Sequence, residues 1–211
     1  ENYETDSFNN PLPPYCHDLP LFSLIPSLIK DAQPFPLDYL PKWYGYKWWR
    51  YCQFFLGCSN SITPLHFDCL LTNNIFFQIV GRKQFTIFLP EDAKYCYRKG
   101  WRWFHVNPEN PDLNKYPEYK NARPIKFIVN PGDILYMPPG TLHHVRSLDM
   151  SISFNIDWHN KKSCLNALSA STKGMPVQNS YYNFLLAMGL VFKIPSPIIF
   201  NFYKSYLNYV S

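Results

Sequence analysis

The sequence predicts a mainly β protein whose strand-rich core lies between a proline-rich segment and a helical segment. In residues 51–158, short runs rich in Val, Ile, Phe and Tyr alternate with turn residues, a pattern typical of strands. Many of the twenty prolines lie in residues 1–50, where they interrupt any long element. In residues 159–211, two apolar stretches are separated by Pro195-Ser196-Pro197, which predicts two helices.

The chain has 211 residues, of which 46% are hydrophobic, so it is long enough to bury one sizeable core. We therefore expect one domain in three parts. Residues 1–50 form an N-terminal wrap or scaffold of extended chain and short helices, in which Trp43 to Arg50 predicts a packed lid or a scaffold strand. Residues 51–158 form the core, and residues 159–211 form C-terminal helices. Because the first residue is Glu, we expect the sequence to begin inside a longer protein.

Two strands are predicted between Asn73 and Leu89. The two apolar runs are joined by Gly81 and Arg82, and a two-residue link that contains Gly is a signal for a β-hairpin. Lys83 opens the second strand. An ammonium group that faces inward there is costly to bury unless a carboxylate lies beside it. The sequence therefore predicts a hairpin that carries a cation in need of a partner.

Two histidines and an aspartate form a candidate metal site. His66 and Asp68 are two residues apart, so on a β-strand their side chains leave the same face. His143 follows residues 131–140, which predict a turn, a short apolar strand and a second turn, so it starts the next strand. Two imidazoles and one carboxylate hold one face of an octahedral Fe(II) and leave the other positions open. The sequence therefore predicts an open iron site at these three residues.

His143 has a neighbouring imidazole, His144, so a choice between the two is needed. Strand alternation sends His143 and Val145 to one face and His144 and Arg146 to the other. We choose His143 as the ligand and expect His144 to be a structural or supporting residue. The remaining histidines are isolated, and each is expected to be a surface residue or a hydrogen-bonded core residue: His17, His105 and His159.

Five motifs follow one another between Thr63 and about Trp158, which is nearly half of the chain. They are Thr-Pro-Leu-His-Phe-Asp (63–68), Gln-Ile-Val-Gly-Arg-Lys (78–83), Asn-Pro-Asp-Leu-Asn-Lys-Tyr-Pro (110–117), Pro-Gly-Asp-Ile-Leu-Tyr-Met-Pro (131–138) and His-His-Val-Arg-Ser-Leu (143–148). Together they resemble the jumonji-C (JmjC), cupin-like family of Fe(II)- and 2-oxoglutarate-dependent oxygenases. The resemblance is to its small hydroxylase branch, with the asparaginyl hydroxylase factor inhibiting HIF, the arginyl hydroxylases and the wybutosine tRNA hydroxylase.

This resemblance implies a fold, a co-substrate and a set of site residues. The fold is a double-stranded β-helix, or jelly roll, as in cupin and JmjC proteins. Fe(II) is bound by His66, Asp68 and His143, and the distal carboxylate of 2-oxoglutarate pairs with Lys83. The other co-substrate residues that it implies are Thr63, Asn74 and Asn155.

The sequence departs from the family pattern at two places. Lys83 follows His66 by slightly more residues than in related proteins, which leaves Asn73 as a rival to Asn74. Asp157 lies where several relatives carry an aromatic residue, so the wall that faces the substrate is open to question. Arg146 is an alternative base for the distal carboxylate of the co-substrate.

The activity implied by the resemblance is a dioxygenase that uses O2 to hydroxylate an amino-acid side chain of a protein or peptide. The alternative is a tRNA modified-base hydroxylase. A histone demethylase ranks lower. A metal-binding cupin without catalysis is a further alternative, but the complete ligand set and Lys83 argue against it.

The charge pattern bears on the tRNA alternative. The formal net charge is +5, and the segment from Lys94 to Lys126 contains eight basic and three acidic residues. Five aromatic residues are interleaved between Tyr95 and Phe104. Basic side chains neutralise phosphates and aromatic rings stack on unpaired bases, but ordinary loops have the same composition. We favour the ordinary interpretation and keep tRNA as a possible partner.

The compartment and the assembly are predicted from the cysteines and the last segment. The six cysteines form no CxxC pair, and free thiols and ferrous iron both suit a reducing intracellular compartment, cytoplasm or nucleus.

The strongest apolar run, residues 184–192, is shorter than the roughly 20 residues that cross a bilayer, so we expect no stable membrane insertion. Core packing or a homodimer contact is expected there instead.

Overall fold

Two antiparallel β-sheets form the centre of the protein in the computed structural model, which describes residues 13–33, 35, 37–45 and 47–207. The five-stranded sheet has the order β1-β2-β11-β4-β9, and the six-stranded sheet has the order β6-β7-β3-β10-β5-β8. The strands are β1 Tyr15–Leu19, β2 Cys52–Gly57, β3 Ile62–His66, β4 Asn73–Val80, β5 Lys83–Phe88, β6 Arg98–Lys99, β7 Trp103–Phe104, β8 Ile125–Val129, β9 Ile134–Met137, β10 Leu142–Ser147 and β11 Ser151–Trp158.

The two sheets face each other, and consecutive strands often belong to different sheets. Strands β3, β5, β8 and β10 lie in one sheet, whereas β2, β4, β9 and β11 lie in the other. Side chains between the sheets form a buried apolar layer, in which the rings of Phe76 and Phe85 meet edge to face at 5.2 Å. This arrangement confirms the predicted mainly β fold and is that of a jelly roll.

The predicted hairpin between Asn73 and Leu89 is wrong. Both strands form, as β4 and β5, but β4 pairs with β9 and β11, while β5 pairs with β8 and β10. The two-residue link is a corner between the sheets. Gly81 has a φ of +70°, and a Cβ there would lie 2.2 Å from the carbonyl oxygen of Met150. Because the apolar faces of β4 and β5 pack on each other across the interior, the strands do not pair along their edges.

Residues before and after the core cover the outer face of the five-stranded sheet. An aromatic cluster joins Phe22 and Trp48 of the N-terminal part to Phe154 of β11 and Tyr182 of a C-terminal helix. The helices are α1 Leu21–Leu24, α2 Lys42–Gly45, α3 Lys161–Ser169, α4 Val177–Leu190 and α5 Ser196–Leu207, and 3-10 turns include Pro26–Ala32 and Trp48–Tyr51. The division of the domain into three parts stays a prediction, since one core is shared by all three.

Apart from Tyr46, which lies outside the described residues, the aromatic run from Trp43 to Arg50 is packed but is not a strand. It forms α2 and a 3-10 turn, in which Tyr44 and Trp48 are each 2% exposed. Both rings belong to the aromatic cluster on the outer face of the five-stranded sheet.

The two predicted C-terminal helices are present as α4 and α5, with Pro195 at the break between them. Asn160 and Ser163 form a capping box at the start of α3, where each side chain accepts a hydrogen bond from the other residue's backbone. In the described part of the chain, no helix combines the length and apolar character needed to cross a bilayer.

Candidate active site

A cavity of about 840 Å³ lies between the two sheets, and it contains all seven site residues named from the sequence. Strands of both sheets line it, together with the N-terminal strand β1 and the start of α4. The predicted residues in its wall are Thr63, His66, Asp68, Asn74, Lys83, His143 and Asn155.

His66 and His143 face each other across a strand pair. They are direct partners in the register of β3 and β10, and their ring centroids are 4.3 Å apart. His66 Nδ1 lies 2.7 Å from the carbonyl oxygen of Pro64, and His143 Nδ1 lies 2.9 Å from that of Thr141. Because a carbonyl oxygen only accepts, each Nδ1 carries the proton, and each Nε2 presents a lone pair.

The electrostatic environment keeps His66 neutral. Burial lowers the pKa of His66 well below its ordinary value, and the neighbouring His143 and Arg102 lower it further. Neutral imidazole is the form that binds a metal. Both the tautomer and the charge of this histidine therefore suit a ligand.

Asp68 completes the group, although it does not lie on a strand as expected. Strand β3 ends at His66, and Asp68 follows in the extended chain beyond it. Its Oδ1 lies 4.0 Å from Nε2 of His143. One ligand atom from each of His66, Asp68 and His143 lies within 4.8 Å of the other two. This donor set fits Fe(II).

Lys83 is buried at the other end of the cavity. It is 1% exposed, and its Nζ donates to Ser153 Oγ at 3.0 Å and lies 3.3 Å from the Tyr15 hydroxyl. The described residues provide no carboxylate partner for it, and burial lowers its pKa to about 7. A small dicarboxylic acid that reached the metal end with one carboxylate would supply the missing anion with the other.

Thr63 and Tyr15 lie beside Lys83. The Tyr15 hydroxyl is hydrogen-bonded to the Thr63 side chain, and burial keeps the pKa of this tyrosine well above its ordinary value. Both hydroxyls therefore keep their protons beside the lysine. Tyr15 was missed by the sequence analysis, because the proline-rich N-terminal segment has no periodic pattern that would indicate a strand.

Asn73 and Asn74, the two candidates for the co-substrate asparagine, point to opposite sides of β4. Asn74 lines the cavity, and its Nδ2 donates to Asp68 Oδ2 at 3.3 Å. Asn73 points to the other side of β4, where it binds the backbone of Trp158 and the hydroxyl of Tyr136. Strand alternation explains the difference. Asn74 therefore remains the candidate for binding the co-substrate.

His144 and Arg146, which follow His143 on β10, both contact Glu109. Arg146 donates to both oxygens of Glu109, and Nε2 of His144 lies 3.3 Å from the same carboxylate. Burial would raise the pKa of Glu109, but hydrogen bonds from His144 and Arg146 outweigh it and lower the pKa to about 2. Arg146 is thus occupied on the outer face of the strand, away from the cavity.

The isolated histidines differ in their surroundings. His159 is buried, with Nδ1 3.0 Å from Ser163 and Nε2 3.1 Å from Asn183, and burial lowers its pKa to about 4. His105 stacks on Tyr116. His17 is exposed at the cavity mouth, a position that the sequence did not indicate.

The cavity mouth contains further residues that sequence reasoning did not assign to the site. The start of α4 adds neutral polar groups, and the turn between β6 and β7 adds two cations and two indoles. These residues are Gln178, Asn179, Lys99, Arg102, Trp101 and Trp103. The basic-aromatic composition was visible in the sequence, but only the fold brings this turn to the cavity.

Comparison with known proteins shows the family to which the chain belongs. The profile of a family described as "Cupin-like domain" matches residues 1–164. The chain belongs to this family. The resemblance to JmjC, cupin-like oxygenases that the sequence motifs indicated is therefore confirmed.

The chain is similar to proteins whose names point to different roles. The chain is 34% identical to JmjC domain-containing protein C of Dictyostelium discoideum over 150 residues, or 67% of this chain and 34% of that protein. It is 36% identical to human tRNA wybutosine-synthesizing protein 5 over 111 residues, 50% of this chain and 35% of that protein. It is 36% identical to Lysine-specific demethylase 8 of Danio rerio over 106 residues, 48% of this chain and 26% of that protein. The chain thus spans only about a third or less of these cupin-like relatives.

Proposed function

We propose that the chain is an Fe(II)- and 2-oxoglutarate-dependent oxygenase. The observation that carries the proposal is the pairing of two groups in one cavity. A metal-ligand set lies at one end, and a buried lysine without a carboxylate partner among the described residues lies at the other. Iron with 2-oxoglutarate and O2 supplies the oxidation of unactivated C–H bonds, which amino-acid side chains do not perform by themselves.

The residues of the chain have distinct roles in this proposal. His66, Asp68 and His143 hold the metal, and the carbonyl bonds at each Nδ1 fix the orientation of the two imidazoles. Asn74 holds the Asp68 carboxylate through its amide nitrogen. Lys83 neutralises the distal carboxylate of the co-substrate.

The hydroxyls of Thr63 and Tyr15 donate to that same carboxylate, and the amide of Asn155 contacts the co-substrate between the two ends. All three residues line the cavity. Their position between the two sheets places these polar contacts in less polar surroundings than water, which strengthens each of them.

We propose an amino-acid side chain of a protein or peptide as the substrate. The cavity opens beside neutral polar groups of α4 and the exposed edge formed by β6, which together suit an extended peptide. The hydroxylase branch that the motifs resemble supports the same substrate class.

The metal assignment is tested by replacing its anionic ligand. Asp68→Ala should abolish Fe(II)-dependent consumption of 2-oxoglutarate, because Asp68 supplies the carboxylate among the three candidate ligands His66, Asp68 and His143. Succinate formation and Fe(II) binding are measured on the same samples. Asp31→Ala removes an exposed carboxylate that is not part of the cavity lining and should retain wild-type values. Normal turnover in Asp68→Ala would refute the assignment.

A tRNA base is the second candidate substrate, and the cavity mouth favours it. Lys99 and Arg102 line the mouth beside Trp101 and Trp103, and Arg102 lies 4.3 Å over the Trp103 ring. Cations beside stacked indoles bind phosphates and unpaired bases. One of the curated relatives is a tRNA wybutosine-synthesizing protein.

The RNA candidate predicts a salt-dependent interaction. Lys99→Gln with Arg102→Gln should weaken tRNA binding and lower the slope of log affinity against log salt by about one to two, because each phosphate contact contributes nearly one. Affinity is measured at several salt concentrations. Lys120→Gln with Lys126→Gln removes two exposed cations of the same segment outside the cavity and serves as the control.

The wild-type protein decides between the two substrates. If it fails to bind tRNA even at low salt, the RNA candidate is eliminated. Tight and salt-dependent binding that the mouth variant loses and the control retains would place RNA first.

A further inference from the structure

An open pocket of about 630 Å³ lies on the outer face of the five-stranded sheet, on the side opposite to the candidate active site. Strand alternation separates the two sites. Asn74 and Met137 line the cavity between the sheets, whereas their neighbours Asn73 and Tyr136 line the outer pocket. Among the described residues, none belongs to both linings. The outer pocket is therefore a second site, and the proposed oxygenase chemistry does not use it.

Three adjacent strands form the floor of the outer pocket. Trp158 of β11 is the register partner of Asn73 on β4, and Tyr136 of β9 is the register partner of Ile75 on the same central strand. The ring centroids of Tyr136 and Trp158 are 6.1 Å apart. The wall is formed by residues 38–41 of the N-terminal part. The sheet thus supplies two aromatic rings to the floor, and the N-terminal part closes one side.

Three aromatic side chains border this opening: Tyr39, Tyr136 and Trp158. Tyr39 is 42% exposed and Tyr136 is 51% exposed, so both keep ring surface in contact with solvent, whereas Trp158 is nearly buried. The face of an aromatic ring carries partial negative charge and attracts a cation. Rings on a turn and on two strands therefore surround one opening with surfaces that favour positive charge.

The wall adds a full negative charge. Asp38 is exposed, and none of the ion pairs among the described residues involves it. Burial raises the pKa of Tyr39, and the charge of Asp38 raises it further, so the carboxylate lies near the phenol. The described lining contains no lysine, arginine or histidine, and the chain neighbours Lys42 and Lys161 are exposed outside it. A cationic ligand is thus favoured over a neutral or anionic one.

The hydrogen bonds of the lining select among cations. Oδ1 of Asn73 already accepts a hydrogen bond from the Tyr136 hydroxyl, and Oδ1 of Asn160 accepts one from the backbone nitrogen of Ser163. An ammonium has three N–H donors and a guanidinium has five, and donors that lose water need new acceptors. A trimethylammonium group has the same charge without N–H donors, and aromatic surroundings are those in which proteins recognise it.

We propose that the outer pocket binds a trimethylammonium group, with the rings of Tyr39, Tyr136 and Trp158 around the methyl groups and the carboxylate of Asp38 beside the charge. Two sources have this chemistry, a free quaternary amine such as choline and a trimethyllysine side chain of another protein. Binding at this pocket is independent of the proposed oxygenase function, because the two sites have separate linings.

The first measurement compares choline with dimethylbutanol, the neutral analogue in which a carbon atom replaces the nitrogen. Both are titrated into the full chain and followed by NMR. The wild type should bind choline about fivefold or more tightly than the analogue, as expected for a cation beside partly exposed rings. Equal binding of the two molecules would show that the pocket recognises apolar shape and not charge.

The second measurement identifies the source of the group. A short fluorescent Gly/Ala peptide with a central trimethyllysine is compared, by anisotropy, with the same peptide containing lysine or norleucine. The trimethyllysine peptide should bind more tightly than both others. Tighter binding of this peptide than of choline assigns the pocket to a protein side chain, and the reverse order assigns it to a free amine. A lysine peptide that binds as tightly as the methylated one would overturn the inference.

Two variants locate the origin of the preference for charge. Asp38→Asn removes the charge and Tyr39→Leu removes a ring, both at exposed positions, and each should bring choline and its neutral analogue towards equal affinity. Asp31→Asn and Tyr181→Leu make the same changes at exposed residues outside the lining and should retain the wild-type preference. A preference that persists in both pocket variants would contradict the assignment.

Loading the candidate active site separates the two sites. Choline affinity should be the same with and without Mn(II) and 2-oxoglutarate, because these ligands occupy a cavity with a different lining. Choline binding that is lost on loading would place the cation in the cavity between the sheets. That result, or the failure of both trimethylammonium probes to bind the wild type, would overturn the inference and leave the oxygenase proposal unaffected.

Discussion

Lys83 shows how one side chain can define a binding site. Its neighbours at the deep end are the hydroxyls of Ser153 and Tyr15 and the faces of Phe55 and Phe76, whose centroids lie 5.5 and 5.4 Å from Nζ. Hydroxyls and rings compensate only partly for the hydration that an ammonium loses. An anionic ligand at this position therefore gains affinity from a charge that the fold has already buried.

The first residue-scale prediction concerns the co-substrate requirement. Lys83→Met keeps the volume of the side chain but removes its charge, and it should raise the 2-oxoglutarate concentration for half-maximal turnover. A charge-assisted bond is worth roughly 1.5–3 kcal/mol, which corresponds to about tenfold to a hundredfold. Arg146→Met is the control, because Arg146 binds Glu109 on the outer face. An unchanged requirement in Lys83→Met would assign the distal carboxylate to another base.

The same prediction has a pH signature. With a pKa of about 7, Lys83 is mostly neutral in the free protein at pH 8. A carboxylate beside it favours the charged form and raises its pKa, so binding of 2-oxoglutarate at pH 8 should take up close to one proton. Calorimetry with Mn(II)-loaded protein in buffers of different ionisation enthalpy measures the uptake. Lys83→Met should lose it, and equal uptake in both proteins would contradict the prediction.

Sequence reasoning reached some of these residues and missed others for physical reasons. The candidate ligands and Lys83 follow or begin strongly apolar strands, where a polar residue is conspicuous. Tyr15 enters the site because β1 pairs with β2, whose nearest residue is more than thirty positions later in the chain. Pairing over such a distance leaves no local pattern.

At the scale of elements, the link between β4 and β5 shows what a local pattern leaves undetermined. A hairpin turn and a corner between sheets both need a tight link with a positive φ, so Gly81 is compatible with either. Partner choice is decided by the other strands, since β9 and β11 already occupy the two edges of β4. The sequence therefore predicted the strands correctly but not their pairing.

Gly81→Ala should destabilise the protein more than the same substitution at a glycine of similar backbone conformation but with open space around it. The new Cβ meets the Met150 carbonyl at 2.2 Å in addition to the strain of a φ of +70°. We expect a loss of roughly 2–4 kcal/mol in the free energy of unfolding, measured in urea, where strain alone costs about 1 kcal/mol. Gly100→Ala, with a φ of +63° and no atom within 4 Å of the new Cβ, is the control. If both variants lost the same free energy of unfolding, glycine would be needed at position 81 only for its positive φ and not for the close approach of the Met150 carbonyl.

At the scale of the whole molecule, the C-terminal helices combine a buried face with an exposed apolar face. Tyr182, Leu186 and Ile199 belong to the shared core. On the other side, large apolar side chains are between 51% and 69% exposed: Phe184, Phe192, Ile198 and Phe202. Grouped exposed apolar residues on adjacent helices favour contact with another surface.

We predict that a second copy of the chain covers this face. The wild type should be a dimer by light scattering at micromolar concentration, and Phe184→Glu with Phe202→Glu should convert it to a monomer, because a carboxylate is costly to bury in an apolar contact. Leu113→Glu, at a residue 50% exposed elsewhere, should leave the assembly unchanged. A wild type that stays monomeric over this range would exclude the homodimer.

Helix α4 connects this face to the cavity. Near its first turn, Asn179 lines the mouth and its amide lies 3.4 Å from the carbonyl oxygen of Cys69, the neighbour of Asp68. Near its last turn, Gly189 packs so closely on Trp43 that a Cβ would lie 2.3 Å from the ring. A partner on its outer face and a ligand at its first turn would be coupled if both shifted the position of this helix. Any factor by which the partner tightens ligand binding must equal the factor by which the ligand tightens partner binding.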